Sequence, residues 1–242
     1  MKISAFSDKG LVRPSNQDAF MVGNFDDGSV WAVVCDGMGG ANGGNIASRL
    51  AVDHFSASLK AGYRSGMSES SVKNLLETAV NAANIRVFDK SRESSELNGM
   101  GTTIVAVLLV GTTAYFVHAG DSRAYSYCNG ELTQLTRDHS IVQSMIEEGK
   151  ISAEEARFHP RKNVITRALG VDESVKPEFN IFDFYCGVKI LLCSDGLTNF
   201  TELSFISATL ENETVDETAE IMIQEANKNG GGDNITAVVI EI

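Results

Sequence analysis

Proline is scarce: Pro14, Pro160 and Pro177 are the only three in 242 residues, and no Pro-, Gly- or Ser-rich tract marks a linker. One domain spanning residues 1–242 is the expectation, against a prior of about 150 residues per domain. Cysteine is equally sparse. Cys35, Cys128, Cys186 and Cys193 form no C-x-x-C pair and no metal-finger spacing, which leaves a disulfide framework or structural zinc without support. They read as small buried hydrophobes. No cysteine has arginine six positions later, and no DxDxT segment occurs, so cysteinyl- and aspartyl-phosphate chemistry both lack their signatures.

Positive charge is also short, with 20 Lys and Arg against 32 Asp and Glu, a formal net charge of −12 and a pI near 4.8. A sequence-independent grip on nucleic acid needs a basic face and is therefore excluded. Long hydrophobic runs are missing. The longest, Ile104 to Val110, cannot span a bilayer, and the opening MKISAFSDKG lacks the apolar core of a signal peptide. We expect a soluble cytoplasmic monomer with no membrane partner. No internal repeat of fixed period is present.

What remains is 43% apolar and 21% charged, with mean hydropathy −0.04, the balance of a globular chain with a sizeable core. Apolar, β-branched runs at Ser29–Cys35, Thr102–Val110, Thr113–Ala119, Arg123–Cys128, Val188–Cys193 and Ile235–Ile242 predict strands. Gly111-Thr112 and Gly120-Asp121-Ser122 are short enough to close antiparallel hairpins. Helical periodicity appears in Asn45–Lys60 and Val72–Val87, and a third helix is expected from Thr214 to near Gly230, opened by a capping box with Glu217. Between Ser140 and Phe158 lies a helical stretch broken at Gly149, with a second capping box at Ser152. Strands and helices in blocks, without strict alternation, indicate an α+β fold.

Four times an apolar strand joins directly to an aspartate beside glycine or its like: VWAVVCDGMGG with Asp36, HAGDSRAY with Asp121, KILLCSDGL with Asp195 and GGGDNITAVV with Asp233. One Asp-Gly alone is a turn. Four copies can gather carboxylates at one edge of antiparallel sheets, where a pair about 4 Å apart repels by on the order of 4 kcal/mol at an effective dielectric near 20. Such a site suits hard divalent ions, Mg²⁺ or Mn²⁺, better than Zn²⁺. Near the N-terminus, Asp18 adds another carboxylate close to Arg13, whose fork can hold two phosphoryl oxygens.

Together the segments SDKGLVRPSNQDAF, VVCDGMGGANGG, GMGTT, HAGDSRAY, LTRDHS, NVITRALG, LLCSDGLT and GGGDNITAVV resemble, in order, the motifs of the PP2C-like (PPM) family of metal-dependent protein serine/threonine phosphatases in its compact bacterial form. The match runs from Ser7 to Val239. It implies a central sandwich of two antiparallel sheets flanked by pairs of helices, a four-layer α-β-β-α arrangement. Asp36 is then expected to bridge two core ions and the Gly37 carbonyl to bind one of them, while Asp195 and Asp233 hold the other. Asp18 acts mainly through metal-bound water, Asp121 joins Asp195 at a weaker third site, and Arg13 binds the substrate phosphate. The catalytic set is Arg13, Asp36 and Asp195.

The implied reaction is hydrolysis of phosphoserine and phosphothreonine in phosphorylated protein substrates, opposing a bacterial Ser/Thr kinase. A water or hydroxide bridging two Mn²⁺ or Mg²⁺ ions about 3.5–4 Å apart attacks phosphorus directly, with no phosphoenzyme. Two departures stand out. Met38 occupies the position where eukaryotic relatives carry a histidine proposed as general acid, so the leaving group is expected to draw its proton from water. Gln17 replaces the glutamate of many eukaryotic members and removes one water-mediated metal contact. A metal-binding pseudophosphatase that only docks phosphoproteins is the rival reading; retention of Asp36, Asp195, Asp233 and Arg13 argues against it.

The histidines receive no catalytic assignment: His54 lies on a helix, His118 in an apolar strand, His139 in LTRDHS with a structural role, and His159 before Pro160. The Ser140–Arg167 stretch corresponds to the family's flap and is expected to act as a specificity lid. GMGGANGG is not a dinucleotide loop, since Asn42 stands at the third glycine position and no βαβ pattern surrounds it.

Overall fold

The computed structural model describes residues 1–185 and 187–242, with the side chains of residues 40–42 left aside. The chain begins with strands β1 (Lys2–Asp8), β2 (Asp18–Asn24) and β3 (Val30–Met38), then two long helices, α1 (Gly40–Gly62) and α2 (Glu69–Ser91). Strands β4 (Gly101–Thr102), β5 (Ile104–Val110), β6 (Thr113–Ala119), β7 (Arg123–Cys128) and β8 (Glu131–Gln134) follow. Short helices α3 (Ile141–Glu147) and α4 (Ala153–Phe158) lie in the stretch expected to form the flap, ahead of β9 (Glu178–Asp183) and β10 (Lys189–Cys193). Helices α5 (Asp195–Phe200), α6 (Leu203–Asn212) and α7 (Val215–Lys228) precede β11 (Ile235–Glu241). Among the described residues no helix is long and apolar enough to cross a membrane.

Period-two alternation decides the layers, because successive side chains on a strand point to opposite faces. In β3, Trp31, Val33 and Cys35 pack against Phe55 and Leu59 of α1 and Leu76 of α2. Val30, Ala32 and Val34 turn the other way and meet Ile190, Leu192, Val238 and Ile240 of the opposite sheet. On the far side, Leu191, Ala237 and Val239 pack beneath Leu210 of α6 and Met222 of α7. The result is the expected α-β-β-α stack, with one sheet in the order β1-β11-β10-β7-β8 and the other β2-β3-β5-β6-β9, β4 pairing with β3. All strand pairs are antiparallel.

One expected hairpin is absent. β6 pairs with β5 and β9, whereas β7 pairs with β10 and β8, so Gly120-Asp121-Ser122 crosses between the sheets instead of folding β7 back on β6. Gly120 takes φ 118° at that crossing, a conformation open to glycine. The run Thr102–Val110 also divides at Thr103, whose amide and hydroxyl leave the ladder to bond the Asp36 main chain. The Ser152 capping box forms fully; at Thr214 the reciprocal side-chain-to-amide bond does not, and the hydroxyl meets Glu217 Oε2 at 3.5 Å instead. Cys35 and Cys193 are buried as expected, Cys128 is only half-buried, and Cys186 lies outside the described residues.

Phe116 is fully buried in the sandwich interface, its ring edge-on to Phe182 at 5.9 Å. Phe116→Ala should cost about 3–5 kcal/mol of unfolding free energy. Denaturant titration followed by the fluorescence of Trp31, the single tryptophan, measures it; a loss below about 1 kcal/mol would mean the two sheets do not depend on that contact.

Candidate active site

The β2–β3 register sets Asp18 directly opposite Asp36 at one end of the sandwich. Asp36 is held by its main chain: its amide donates to Thr103 Oγ1 at 2.9 Å, and its carbonyl accepts from the Thr102 hydroxyl at 2.8 Å and the Thr103 amide at 2.9 Å. The GMGTT segment therefore serves to fix this strand end. Leu169 of NVITRALG in turn pairs its backbone with Thr102. Gly37 must be glycine for packing, since a Cβ there would lie 2.0 Å from the Gly44 carbonyl oxygen and 2.6 Å from that of Gln17.

Asp18 ties the two sheets together. Its Oδ2 accepts 2.7 Å hydrogen bonds from Ser194, just after β10, and from Thr236 of β11, while its buried Oδ1 has no partner. Asp195 opens α5 with Oδ2 accepting from Asn199 at 3.0 Å and Oδ1 likewise buried and unpartnered. Asp121 arrives on the crossover between sheets. Asp233 precedes β11 and receives the Arg13 fork, Nε to Oδ1 and Nη2 to Oδ2, each 2.9 Å. Asn234 pins the loop that carries Arg13, donating to the carbonyls of Lys9 at 2.8 Å and Ser15 at 2.9 Å and accepting from the Gln17 amide at 2.8 Å.

The five carboxyls sense one another. Burial, then Asp18, Asp195, Asp121 and Asp233, push Asp36 well above the ordinary range, and burial with Asp233 raises Asp195. Burial carries Asp18 up to about 7, against the pull of its two hydroxyl donors, and Asp121 up to about 8. Nearby cations are few. Arg13 is spent on Asp233, and Arg123 is spent on Asp138 at 2.6 Å and Thr198 at 2.9 Å. Oxygen donors in excess of protein cations, two of them orphaned, fit hard divalent ions.

The sequence profile of the protein phosphatase 2C family matches residues 12–234, and the serine/threonine phosphatase stp of Listeria monocytogenes is 36% identical over 236 residues, covering 97% of this chain and 93% of that protein. The chain belongs to the protein phosphatase 2C family. Two solved structures are similar to this member throughout. The serine/threonine phosphatase of S. agalactiae superposes with a TM-score of 0.92 at 34% identity, covering 100% of this chain and 99% of that one. The catalytic domain of the phosphatase PstP in complex with two manganese ions gives a TM-score of 0.86 at 35% identity over 99% and 97%.

All the residues expected at the centre of this protein phosphatase 2C member, Arg13, Asp18, Asp36, Gly37, Asp121, Asp195 and Asp233, gather at one end of the sandwich. Sequence reasoning missed Ser194, Thr236 and Asn234, although each adjoins a singled-out aspartate or its strand. His118, His139 and Glu178 form a separate group with ligand atoms within 4.8 Å. Its rings stack at 4.7 Å; His139 Nδ1 accepts from the Gly120 amide at 3.2 Å, Nε2 faces Glu178 at 3.4 Å, and His118 Nε2 meets the Arg137 carbonyl at 2.9 Å. Burial and the neighbouring His118 and Arg167 push His139 down to about 4, keeping it neutral. These contacts tie β6 to the segment before the flap.

A carboxyl whose folded pKa lies above the ordinary value of about 4 binds protons the unfolded chain has lost, so its contribution to stability declines as pH rises toward 7–8. The metal-free thermal midpoint should fall between about pH 5 and 8, and Mn²⁺ should restore about 5 °C at pH 8 but less at pH 5.5. Asp36→Asn should raise the metal-free midpoint and abolish the Mn²⁺ response. Equal Mn²⁺ gains at both pH values would count against a repulsion-dominated centre.

Proposed function

We propose that this chain is a Mn²⁺- or Mg²⁺-dependent protein phosphatase that hydrolyses phosphoserine and phosphothreonine, acting in the cytoplasm against a Ser/Thr kinase. The observation that carries the reading is the convergence of five aspartates from both sheets, with buried, unpartnered oxygens on Asp18 and Asp195, beside the Arg13 fork. Membership of the family and the two-manganese relative support it.

Asp36 with the Gly37 carbonyl, together with Asp195 and Asp233, would hold two core ions, with Asp18 contributing through water and Asp121 with Asp195 at a third position. Bound there, divalent ions supply Lewis acidity to the phosphoryl group and lower the pKa of a water nucleophile. The chain's own groups do the rest. Ser194 and Thr236 fix the Asp18 rotamer, so the donor set is pre-shaped before any ion arrives. Asn234 holds the Arg13 loop against β11, which keeps the guanidinium at the edge of the carboxylate cluster where phosphoryl oxygens would lie. Met38, ending β3, has no proton to give, so the departing serine or threonine alkoxide takes its proton from solvent.

Hydrolysis of an aryl phosphate tests the proposal directly. Activity should require Mn²⁺ or Mg²⁺ and disappear in EDTA; Asp36→Asn and Asp195→Asn should each lose at least about a hundredfold in kcat. Arg13→Ala should raise KM by about tenfold, the loss of a charge-assisted fork. Undiminished turnover in EDTA, or in both aspartate variants, would sink the metal-dependent reading.

A further inference from the structure

Adjoining the carboxylate centre is a cleft of about 660 Å³ between the α3–α4 segment and helices α5 and α6. Its inner end is Asp121 and Asp195, so it opens directly from the candidate active site. A cavity of a few hundred to about 1,000 Å³ is the usual size of a ligand-binding site. Its flap wall is cationic: Arg157 and Lys162 line it, and residues 156–167 carry Arg157, Arg161, Lys162 and Arg167 without a single Asp or Glu. That local basic island stands on a chain of net charge −12.

The facing wall carries Glu202, the N-cap residue of α6, and Arg157 Nη2 reaches its Oε2 at 3.6 Å across the mouth. Both side chains are exposed, 58% and 75%, and such a long, solvated pair is worth little and exchanges readily. Beside Arg157, Phe158 is 84% exposed with its ring against no core. Leu203 lies on the opposite lip, 42% exposed. Further in, the lining Asp138 is neutralised by Arg123 at 2.6 Å, so at the mouth an apolar contact, two cations and a carboxylate already paired with one of them describe a surface complementary to an extended acidic segment.

We propose that this cleft seats the polypeptide flanking the phosphorylated residue and selects acidic flanks, which displace Glu202 from Arg157 and engage Lys162. The inference rests on the phosphatase reading of the adjoining centre and names the class of phosphoprotein that centre takes. Glu202 is an internal stand-in for a substrate carboxylate, so a correct substrate exchanges one charge pairing at the mouth for another. Acidic residues at the inner end would meet Asp121 and Asp195, which restricts the preference to flanking positions that lie beyond the phosphoryl group. Electrostatic complementarity of this kind acts on encounter and on discrimination between partners.

The test uses two phosphothreonine peptides of equal length, one flanked by glutamates and one by lysines, with Mn²⁺ present at low salt. The readout is the ratio of their kcat/KM values within each enzyme. The parent should favour the glutamate peptide by on the order of tenfold, through KM, and the ratio should shrink toward unity in added salt. Arg157→Glu with Lys162→Glu should invert the ratio, and Glu202→Gln alone should raise it. A parent ratio within about twofold of unity, or a ratio unmoved by both variants, would overturn the acidic-flank proposal. Aryl phosphate turnover by the parent separates the two failures: intact aryl hydrolysis with no peptide preference overturns only this inference, whereas no turnover of any substrate overturns the phosphatase reading itself.

Discussion

The constraint on which the structure turns is the confinement of five carboxylates to one end of a sandwich, Asp18 buried and Asp36, Asp121, Asp195 and Asp233 half-buried. Buried like charges are tolerated only when paired, hydrogen-bonded or bound to cations. Here each partial compensation also performs construction. The hydroxyls of Ser194 and Thr236 that partly satisfy Asp18 belong to the sheet opposite its own strand, so the two sheets are joined at the very end where repulsion would part them. Arg13 neutralises Asp233 and, in doing so, draws the β1–β2 loop over the site. The remaining deficit of positive charge suits the centre to divalent ions.

Backbone packing around this end follows the same economy of space. Gly37 and Gly196 lie where a Cβ would fall 2.0 Å and 1.9 Å from the carbonyl oxygens of Gly44 and Asn234. Strand ends from both sheets, the start of α1 and the start of α5 thereby approach closely enough for their aspartates to interact. Any side chain at either position would separate main-chain segments. The Asp-Gly pairs are thus one device: the carboxylate supplies charge and the glycine supplies the proximity that makes the charge costly and useful.

What the sequence made legible sorts by burial. The strands recognised from apolar runs, in β3, β5, β6, β7, β10 and β11, are interior strands covered on both faces. Those not recognised, β1, β2, β8 and β9, are the four sheet edges, where one side is half-exposed and polar residues interrupt the run. The false hairpin at Gly120-Asp121-Ser122 failed because loop length specifies reach and not direction; only the opposite pairings of β6 and β7 show that Asp121 lies on a passage between sheets. At the centre, the aspartates were legible because charge beside glycine at a strand end is conspicuous. Ser194, Thr236 and Asn234 were not, because hydroxyls and amides are common and their partners lie more than 170 residues away in sequence.

Net charge, finally, describes this molecule poorly until it is resolved by place. The overall excess of acid excludes a generic polyanion binder, yet residues 156–167 are basic, and Arg157 and Lys162 among them line the cleft. Acid is concentrated at the strand ends that carry the five aspartates, and base on the segment carrying Arg157 and Lys162. The two regions meet across Arg123, whose guanidinium is bound to Asp138, which also lines the cleft, and to Thr198 of α5, the helix begun by Asp195. That half-buried bridge couples the lining of the cleft to the carboxylate edge through short hydrogen bonds. Opposite signs of charge can therefore stand side by side without collapsing onto one another, each fixed by neutral or paired neighbours, and the phosphoryl group and its polypeptide can be read by different chemistry in one cleft.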